Sequence, residues 1–334
     1  MSNHDISRLT LTKEGLDFVR QWFDSNDYII AYTSGSTGEP KEIRLSKHDM
    51  QISARATNRF FNITPSSLLV CPLSATYIAG KMMIVRALSA GCRLIMESPS
   101  NLPLQSHYGK IDLLPIVPSQ IEGLLKSDYL ADIQNIIIGG APLSLAQEQL
   151  MLSTDAAKFL SFATFGMTET CSHVALRPLG QPEYEALPGI SFSVTADSRL
   201  IIHAEDFSFK QLETNDIIEL SDGNHFKWLG RADNVVISGG IKLFPETIER
   251  KLAEFIPLDF YLAGEPDEKW GQRLVMYAEL PENENTDNHS FQMMMAQTIK
   301  NILHLKLDKF EIPKRLYFLD HLPRTANGKL KRHQ

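Results

Sequence analysis

Cysteine is scarce. The 334 residues hold three, Cys71, Cys92 and Cys171, widely spaced and in apolar surroundings. That spacing suits neither a disulfide framework nor a metal site, and it fits a reducing, cytoplasmic setting. Each reads as a small buried hydrophobe. An excess of basic charge is also missing. The net charge of −7 and pI near 5.8 argue against a nucleic-acid surface and against anchoring to acidic lipid. No run is long and apolar enough to span a bilayer. Residues 1–12 are polar and carry no apolar signal core. Repeats and low-complexity tracts are absent too.

What is present is ordinary globular composition, 43% hydrophobic and 22% charged, in a length that suits two domains. Residues 28–165 alternate short apolar runs with amphipathic stretches. Strands are expected at 28–33, 68–71, 92–96, 111–117, 136–138 and 159–165. Helices are expected between them: Ser46 with Asp49 resembles a capping box opening one through Phe60, 80–90 is apolar at helical spacing, Pro118 starts another, and 142–152 forms a third. Such alternation implies an α/β fold with a mostly parallel sheet. From about Gly189 the pattern becomes β-rich, with strands at 190–194, 200–203, 216–220 and 225–229. After Gly230 a small α+β pattern follows: strands at 235–237 and 273–280, helices at 245–255 and 291–305. The expected domains are 1–230 and 231–334.

The segment Tyr32-Thr33-Ser34-Gly35-Ser36-Thr37-Gly38-Glu39-Pro40-Lys41 follows an apolar run that reads as a buried strand. Glycines let backbone N–H groups approach an anion, hydroxyls donate, and lysine adds charge, which is chemistry for a polyphosphate. The common P-loop spacing is not met. Four further segments bear polar chemistry: Gly166-Met167-Thr168-Glu169-Thr170 after an aromatic Phe165; Thr214-Asn215-Asp216; Gly230-Arg231-Ala232-Asp233 followed by Ser238-Gly239-Gly240; and Pro323-Arg324-Thr325-Ala326-Asn327-Gly328-Lys329. Each alone is weak. Asp216 reads equally as a turn cap, and Arg231, Asp233 and Lys329 as surface charges.

Their order and spacing resemble the adenylate-forming superfamily of acyl-CoA synthetases, aryl-CoA ligases, adenylation domains and luciferases, over Tyr32 to Arg332. The resemblance implies a large N-terminal domain with a β-rich subdomain and a small mobile C-terminal domain. It implies ATP and Mg²⁺ for adenylation of a small carboxylic acid, then CoA as the accepting thiol. Thr33, Ser34, Gly35, Ser36, Thr37, Gly38 and Lys41 would cradle phosphates. Gly139, Gly140 and Ala141 would line the adenine pocket, with Phe165 stacked on the base beside Gly166. Thr168 would bond phosphate and Glu169 would hold Mg²⁺. Asp216, supported by Arg231, would accept from the ribose. Lys329 would be the catalytic lysine, Asp233 the hinge, and Ser238, Gly239 and Gly240 the CoA tunnel.

Departures are visible. Only about thirty residues precede the phosphate loop, where the superfamily carries a large subdomain. The face left bare would meet a partner or a second copy, so a homodimer is an expectation. Tyr77 stands where a His is usual, and Glu42 where a Gly is usual. Within the superfamily the o-succinylbenzoate–CoA ligase branch is the one resembled, through 139–143, 166–173 and 237–249. For its second carboxylate, Lys81 is the expected donor, with Tyr77, Thr170 and His173 near the acid. Other readings stand beside it: another acyl- or aryl-CoA ligase, an amino-acid adenylation domain, or a non-catalytic nucleotide-binding regulator. The second lacks its usual pocket Asp near 163–165. The third is opposed by intact Lys41, Glu169, Asp216 and Lys329.

Overall fold

Continuous apolar runs become buried parallel strands. The computed structural model describes residues 6–32, 42–154, 159–281, 284, 288–324 and 332. Within it, Leu68–Cys71 is buried at every position and pairs in parallel with Arg93–Met96, which pairs in turn with Leu9–Thr10. Leu114–Ile116, Asn135–Ile138 and Leu160–Gly166 form a second parallel set. The two sets are joined: Val70 N–H donates to Leu113 O at 3.2 Å and Asp112 N–H to Leu68 O at 2.9 Å. Strands covered on both faces need no polar alternation.

Helices α1 (Lys13–Trp22), α2 (Lys47–Phe60), α3 (Ile78–Ala90), α4 (Ile121–Leu124) and α5 (Leu145–Ser153) lie between these strands in the chain. Thr12, Ser46 and Ser144 cap α1, α2 and α5 by accepting from an N–H three residues on. The box expected at Ser46 and Asp49 is only half formed. Asp49 turns away and accepts from Ser208 N–H at 2.9 Å and from the Ser208 hydroxyl, tying α2 to the loop after Arg199–Ala204.

At Leu160–Gly166 the pairing changes hand. His173–Pro178 joins it antiparallel, and Tyr184–Ala186, His225–Arg231, Lys210–Leu220, Arg199–Ala204 and Ser191–Val194 extend the same nine-stranded sheet. The β-rich part thus begins at His173 rather than near Gly189, and it continues the parallel sheet. The strand expected at 28–33 also differs. Tyr28–Tyr32 pairs antiparallel with Glu42–Ser46 in a two-stranded sheet of its own. Only one face is covered: Ile29 is 2% exposed and Ile30 38%.

Beyond Arg231 lies a separate five-stranded sheet of Val236–Ser238, Ile241–Leu243, Phe260–Asp267, Gly271–Glu279 and Arg315–Leu319. Helices α6 (Pro245–Leu252) and α7 (His289–Lys306) pack on it around Val236, Ile248, Leu252, Leu262, Met276 and Ile299. All three cysteines are buried and free. Burial pushes the Cys71 and Cys171 thiols up to about 12 and Cys92 to about 11. Among the described residues no helix is long and apolar enough to cross a membrane.

Candidate active site

Ligand sites in α/β sheets lie at the carboxyl ends of parallel strands. Asn135–Ile138 and Leu160–Gly166 are neighbours, with Ile138 opposite Ala163. Gly139, Gly140 and Ala141 therefore emerge beside Phe165 and Gly166. A Cβ on Gly139 would lie 2.2 Å from Thr164 Oγ1, so that close approach requires glycine. Phe165 is half-buried, its ring edge-on to Phe226 and Tyr184 at 5.1 and 5.7 Å between centroids.

The strand then closes a tight turn. A Cβ on Gly166 would sit 2.4 Å from Ser172 O. Thr168–Thr170 makes one 3₁₀ turn, and Cys171 follows in the left-handed region at φ 63°. Thr170 is fully buried. Its hydroxyl accepts from Met167 N–H at 3.0 Å and lies 2.7 Å from Ser172 O and 2.9 Å from Met167 O. The Thr170 hydroxyl is thus engaged by the backbone of its own turn. Glu169 beside it is exposed.

Asp216 and Arg231 are cross-strand partners, with Arg231 Nη1 3.6 Å from Asp216 Oδ2. Trp228 Nε1–H donates to Asp216 Oδ1 at 2.9 Å. Burial raises the Asp216 carboxyl above its ordinary value, and Trp228 and Arg231 oppose that rise. Arg231 also reaches Asp233 Oδ2 at 3.4 Å, and Asn215 Nδ2 lies 3.5 Å from the same oxygen.

A third cluster sits between α2, α3 and the turn. His173 Nε2 is 3.1 Å from Thr57 Oγ1. Burial and the nearby Arg86 charge hold its imidazole well below the usual range, so it is neutral. Arg86 is 3% exposed. Its Nη2 donates to Ser172 Oγ at 2.7 Å and its Nη1 contacts Met83 Sδ at 3.3 Å, but its Nε has no hydrogen-bond partner among the described residues. No carboxylate of the described residues pairs with it. Buried Asn58 Oδ1 and Ser53 Oγ are likewise unsatisfied there. Burial lowers the guanidinium to about 10, still charged near neutrality. Lys81 is not part of this cluster: its Nζ donates to Ile30 O at 3.3 Å and lies 5.9 Å from the Phe18 ring. Tyr77, at the N-cap of α3, is 70% exposed.

Residues 6–206 match the AMP-binding enzyme family, and residues 259–329 match the AMP-binding enzyme C-terminal domain. The chain belongs to the AMP-binding enzyme family. It is similar to the 2-succinylbenzoate–CoA ligase of Listeria monocytogenes, 25% identical over 95% of this chain and 71% of that one. An acyl-CoA synthetase (AMP-forming)/AMP-acid ligase II-like protein from Dyadobacter fermentans is 30% identical, covering 96% of this chain and 91% of that chain at a TM-score of 0.62. The fold also matches o-succinylbenzoate CoA synthetase from Bacillus subtilis in complex with its acyl-adenylate, with 20% identity, coverage of 91% and 68%, and a TM-score of 0.72. This AMP-binding enzyme is an acid–CoA ligase of the adenylate-forming class. The o-succinylbenzoate coenzyme A synthetase of Bacillus subtilis has been solved in complex with ATP and a magnesium ion.

The residues present fit Mg²⁺. Mg²⁺ keeps several waters and takes one or two carboxylates plus substrate phosphate oxygens. An exposed carboxylate on the 3₁₀ turn Thr168–Thr170, Glu169, suits that. Ser238 ends a strand, and Gly239 and Gly240 make its hairpin turn at φ 59° and 83°. Trp270 packs so closely that a Cβ on Gly239 would meet its ring at 2.6 Å. Thr33, Ser34, Gly35, Ser36, Thr37, Gly38, Lys41 and Lys329 lie outside the described residues.

Sequence reasoning missed Arg86, Ser172 and Trp228. The signal for Arg86 was available: one charge inside Met82-Met83-Ile84-Val85-Arg86-Ala87-Leu88. A lone charge in an apolar helix is either at the surface or paired for a purpose. Arg332 was missed as well. It forms a two-pronged pair with Glu249 at 2.5 and 2.6 Å and donates to Leu262 O.

Proposed function

We propose that this ligase activates an aryl acid bearing a second carboxylate, with o-succinylbenzoate as the substrate. The observation that carries the reading is Arg86. A charge taken out of water without a counter-charge costs several kcal/mol. Such a cost persists where a ligand removes it. A carboxylate placed against Nε and Nη2 would complete the fork, since guanidinium and carboxylate match in two parallel bonds. Neutral His173 adds an uncharged polar wall. Arg86 therefore replaces Lys81 as the expected holder of the carboxylate that does not react.

The reaction has two steps. The succinyl carboxylate attacks the α-phosphate of ATP, giving acyl-adenylate and pyrophosphate. The CoA thiol then attacks the acyl carbon and AMP leaves. Asp216 accepts from the ribose, Phe165 presents a ring face to adenine, and Thr168 bonds phosphate. Glu169 would hold Mg²⁺, whose charge offsets that of the phosphates. Lys41 supports the phosphates, and Lys329 stabilises charge building at the α-phosphate. Residues 231–334 move as a unit about Asp233 between steps, bringing Ser238, Gly239 and Gly240 to the pantetheine arm. A cytoplasmic homodimer remains part of the reading.

The test is pyrophosphate release with ATP and Mg²⁺, comparing o-succinylbenzoate with benzoate, succinate and a medium-chain fatty acid, with and without CoA. Preference for o-succinylbenzoate that disappears in Arg86→Met supports the reading. Equal turnover of a monocarboxylic acid by both proteins sinks it.

A further inference from the structure

Two clusters described separately above are joined by one residue. Ser172 Oγ accepts from Arg86 Nη2 at 2.7 Å, while Ser172 O lies 2.7 Å from Thr170 Oγ1. Thr170 Oγ1 in turn accepts from Met167 N–H at 3.0 Å. Met167 and Thr170 bracket Thr168 and Glu169, and Cys171 N–H donates back to Thr168 O at 2.9 Å. The turn has no room to relax away from Ser172, because Gly166 already lies against Ser172 O and His173. The non-glycine αL residue Cys171 sits between the two linking residues, a conformation that persists only where its surroundings over-determine it.

We propose that Thr170 and Ser172 are positioning residues that tie the Arg86 guanidinium to the turn presenting Thr168 and Glu169, so that the acid site and the metal–nucleotide site are energetically coupled. The inference rests on the reading of Arg86 and Glu169 given above. A carboxylate drawn to Arg86 pulls on Ser172 Oγ. Ser172 O holds the Thr170 hydroxyl, and that hydroxyl fixes the backbone from which Glu169 projects. Coupling of this kind is reciprocal, so the acid tightens MgATP by the factor by which MgATP tightens the acid. Groups that orient a metal-binding side chain typically contribute about 10–100-fold in metal affinity.

The experiment measures ATP affinity by calorimetry on the full chain, with and without Mg²⁺ and with and without o-succinylbenzoate. Thr170→Val removes the hydroxyl at nearly constant shape, and Thr170→Ser restores it. Thr170→Val is expected to lose about tenfold of the affinity that Mg²⁺ adds, and to weaken metal-free ATP by a smaller factor, through Thr168 on the same turn. Thr170→Ser is expected to recover the Mg²⁺ gain, which also shows that loss of folding is not the cause. Ser172→Ala is expected to keep the Mg²⁺ gain and lose the tightening of MgATP by the acid. An unchanged Mg²⁺ gain in Thr170→Val overturns the inference, as does equal loss of metal-free ATP. Acid-dependent tightening that survives in Ser172→Ala overturns the coupling. A wild-type protein that binds no o-succinylbenzoate overturns the substrate reading alone. The Mg²⁺ comparison needs no acid and then decides the positioning role.

Discussion

Gly230 and Glu246 meet with no space between them: a Cβ on Gly230 would sit 2.5 Å from Glu246 Oε2. Glu246 lies in the first turn of α6, and its Oε1 accepts from Asn234. Thr247 Oγ1 donates to Leu229 O beside it, and the Arg250 guanidinium stands 5.7 Å from the Trp228 ring centroid. Helix α6 is thus seated on strand His225–Arg231 through contacts made on both sides of Asp233. Glu246 Oε2 is buried without a hydrogen-bond partner among the described residues, so the seat is closed to water.

Gly230→Ala is expected to push that carboxylate aside. Because Oε2 is the far end of a flexible side chain, the cost falls at the low end of overpacking, about 1 kcal/mol. At up to about 2 °C per kcal/mol for a chain longer than 250 residues, a small fall in Tm follows. Differential scanning calorimetry of the variant checks it, and an unchanged Tm would show that the α6 contact gives way freely.

Arg86→Met should stabilise the unliganded protein while removing its preference for a dicarboxylic acid. Replacing a buried, incompletely paired charge by an apolar side chain of similar length is often stabilising, by about 1–4 kcal/mol. Thermal denaturation without substrate should show a higher Tm. A lower Tm would mean that Arg86 is held by structural contacts rather than kept for a ligand.

His173 makes stability depend on pH. Its folded pKa lies below its unfolded value of about 6.5. Below that value the unfolded chain takes up a proton that the folded imidazole refuses, so stability falls as pH drops from about 6.5 towards the folded value. The slope is at most about 1.4 kcal/mol per pH unit for one proton. Tm measured from pH 8 to 5 in wild type and His173→Gln should differ by that acid-side slope. Parallel curves would show that another group is responsible.

ATP binding should weaken on acidification with a midpoint above the ordinary Asp range, because burial raises Asp216. Trp228→Phe removes the indole donor that favours the carboxylate, so the midpoint should move to higher pH. A titration of ATP affinity against pH for both proteins checks the direction. A midpoint that stays in place would separate Trp228 from the ribose site.

The local geometry of the candidate site was legible where it consists of short chain features. The strand ends at Gly139 and Phe165, the turn bearing Thr168 and Glu169, and the pairing of Asp216 with Arg231 were all placed by short segments of sequence. Strands 173–178, 260–267 and 315–319 were not anticipated. Their apolar runs are short, at 174–176, 260–263 and 316–319, and pairing with a neighbour makes them strands: Phe260–Asp267 matches Gly271–Glu279 residue for residue from Phe260 opposite Ala278 to Asp267 opposite Gly271. The backbone contacts of Thr170 were not legible, because a hydroxyl in a motif looks the same in sequence whether it faces a ligand or its own backbone.

By itself, then, the sequence determined the alternation of strand and helix, the Ser46 cap on α2, the burial of three thiols and the order of motifs that marks the family. These depend on residue periodicity and on groups within a few positions of each other. The tertiary structure decided what depends on distant partners: the change from parallel to antiparallel pairing at Leu160–Gly166, the seating of Glu246 against Gly230, and the isolation of Arg86 from any described carboxylate. Whether a buried charge is paired is a property of everything packed around it. Here that surrounding comes from α2, α3 and the turn at Ser172, segments up to 86 residues from Arg86 in the chain and within 2.7 Å of it in the fold.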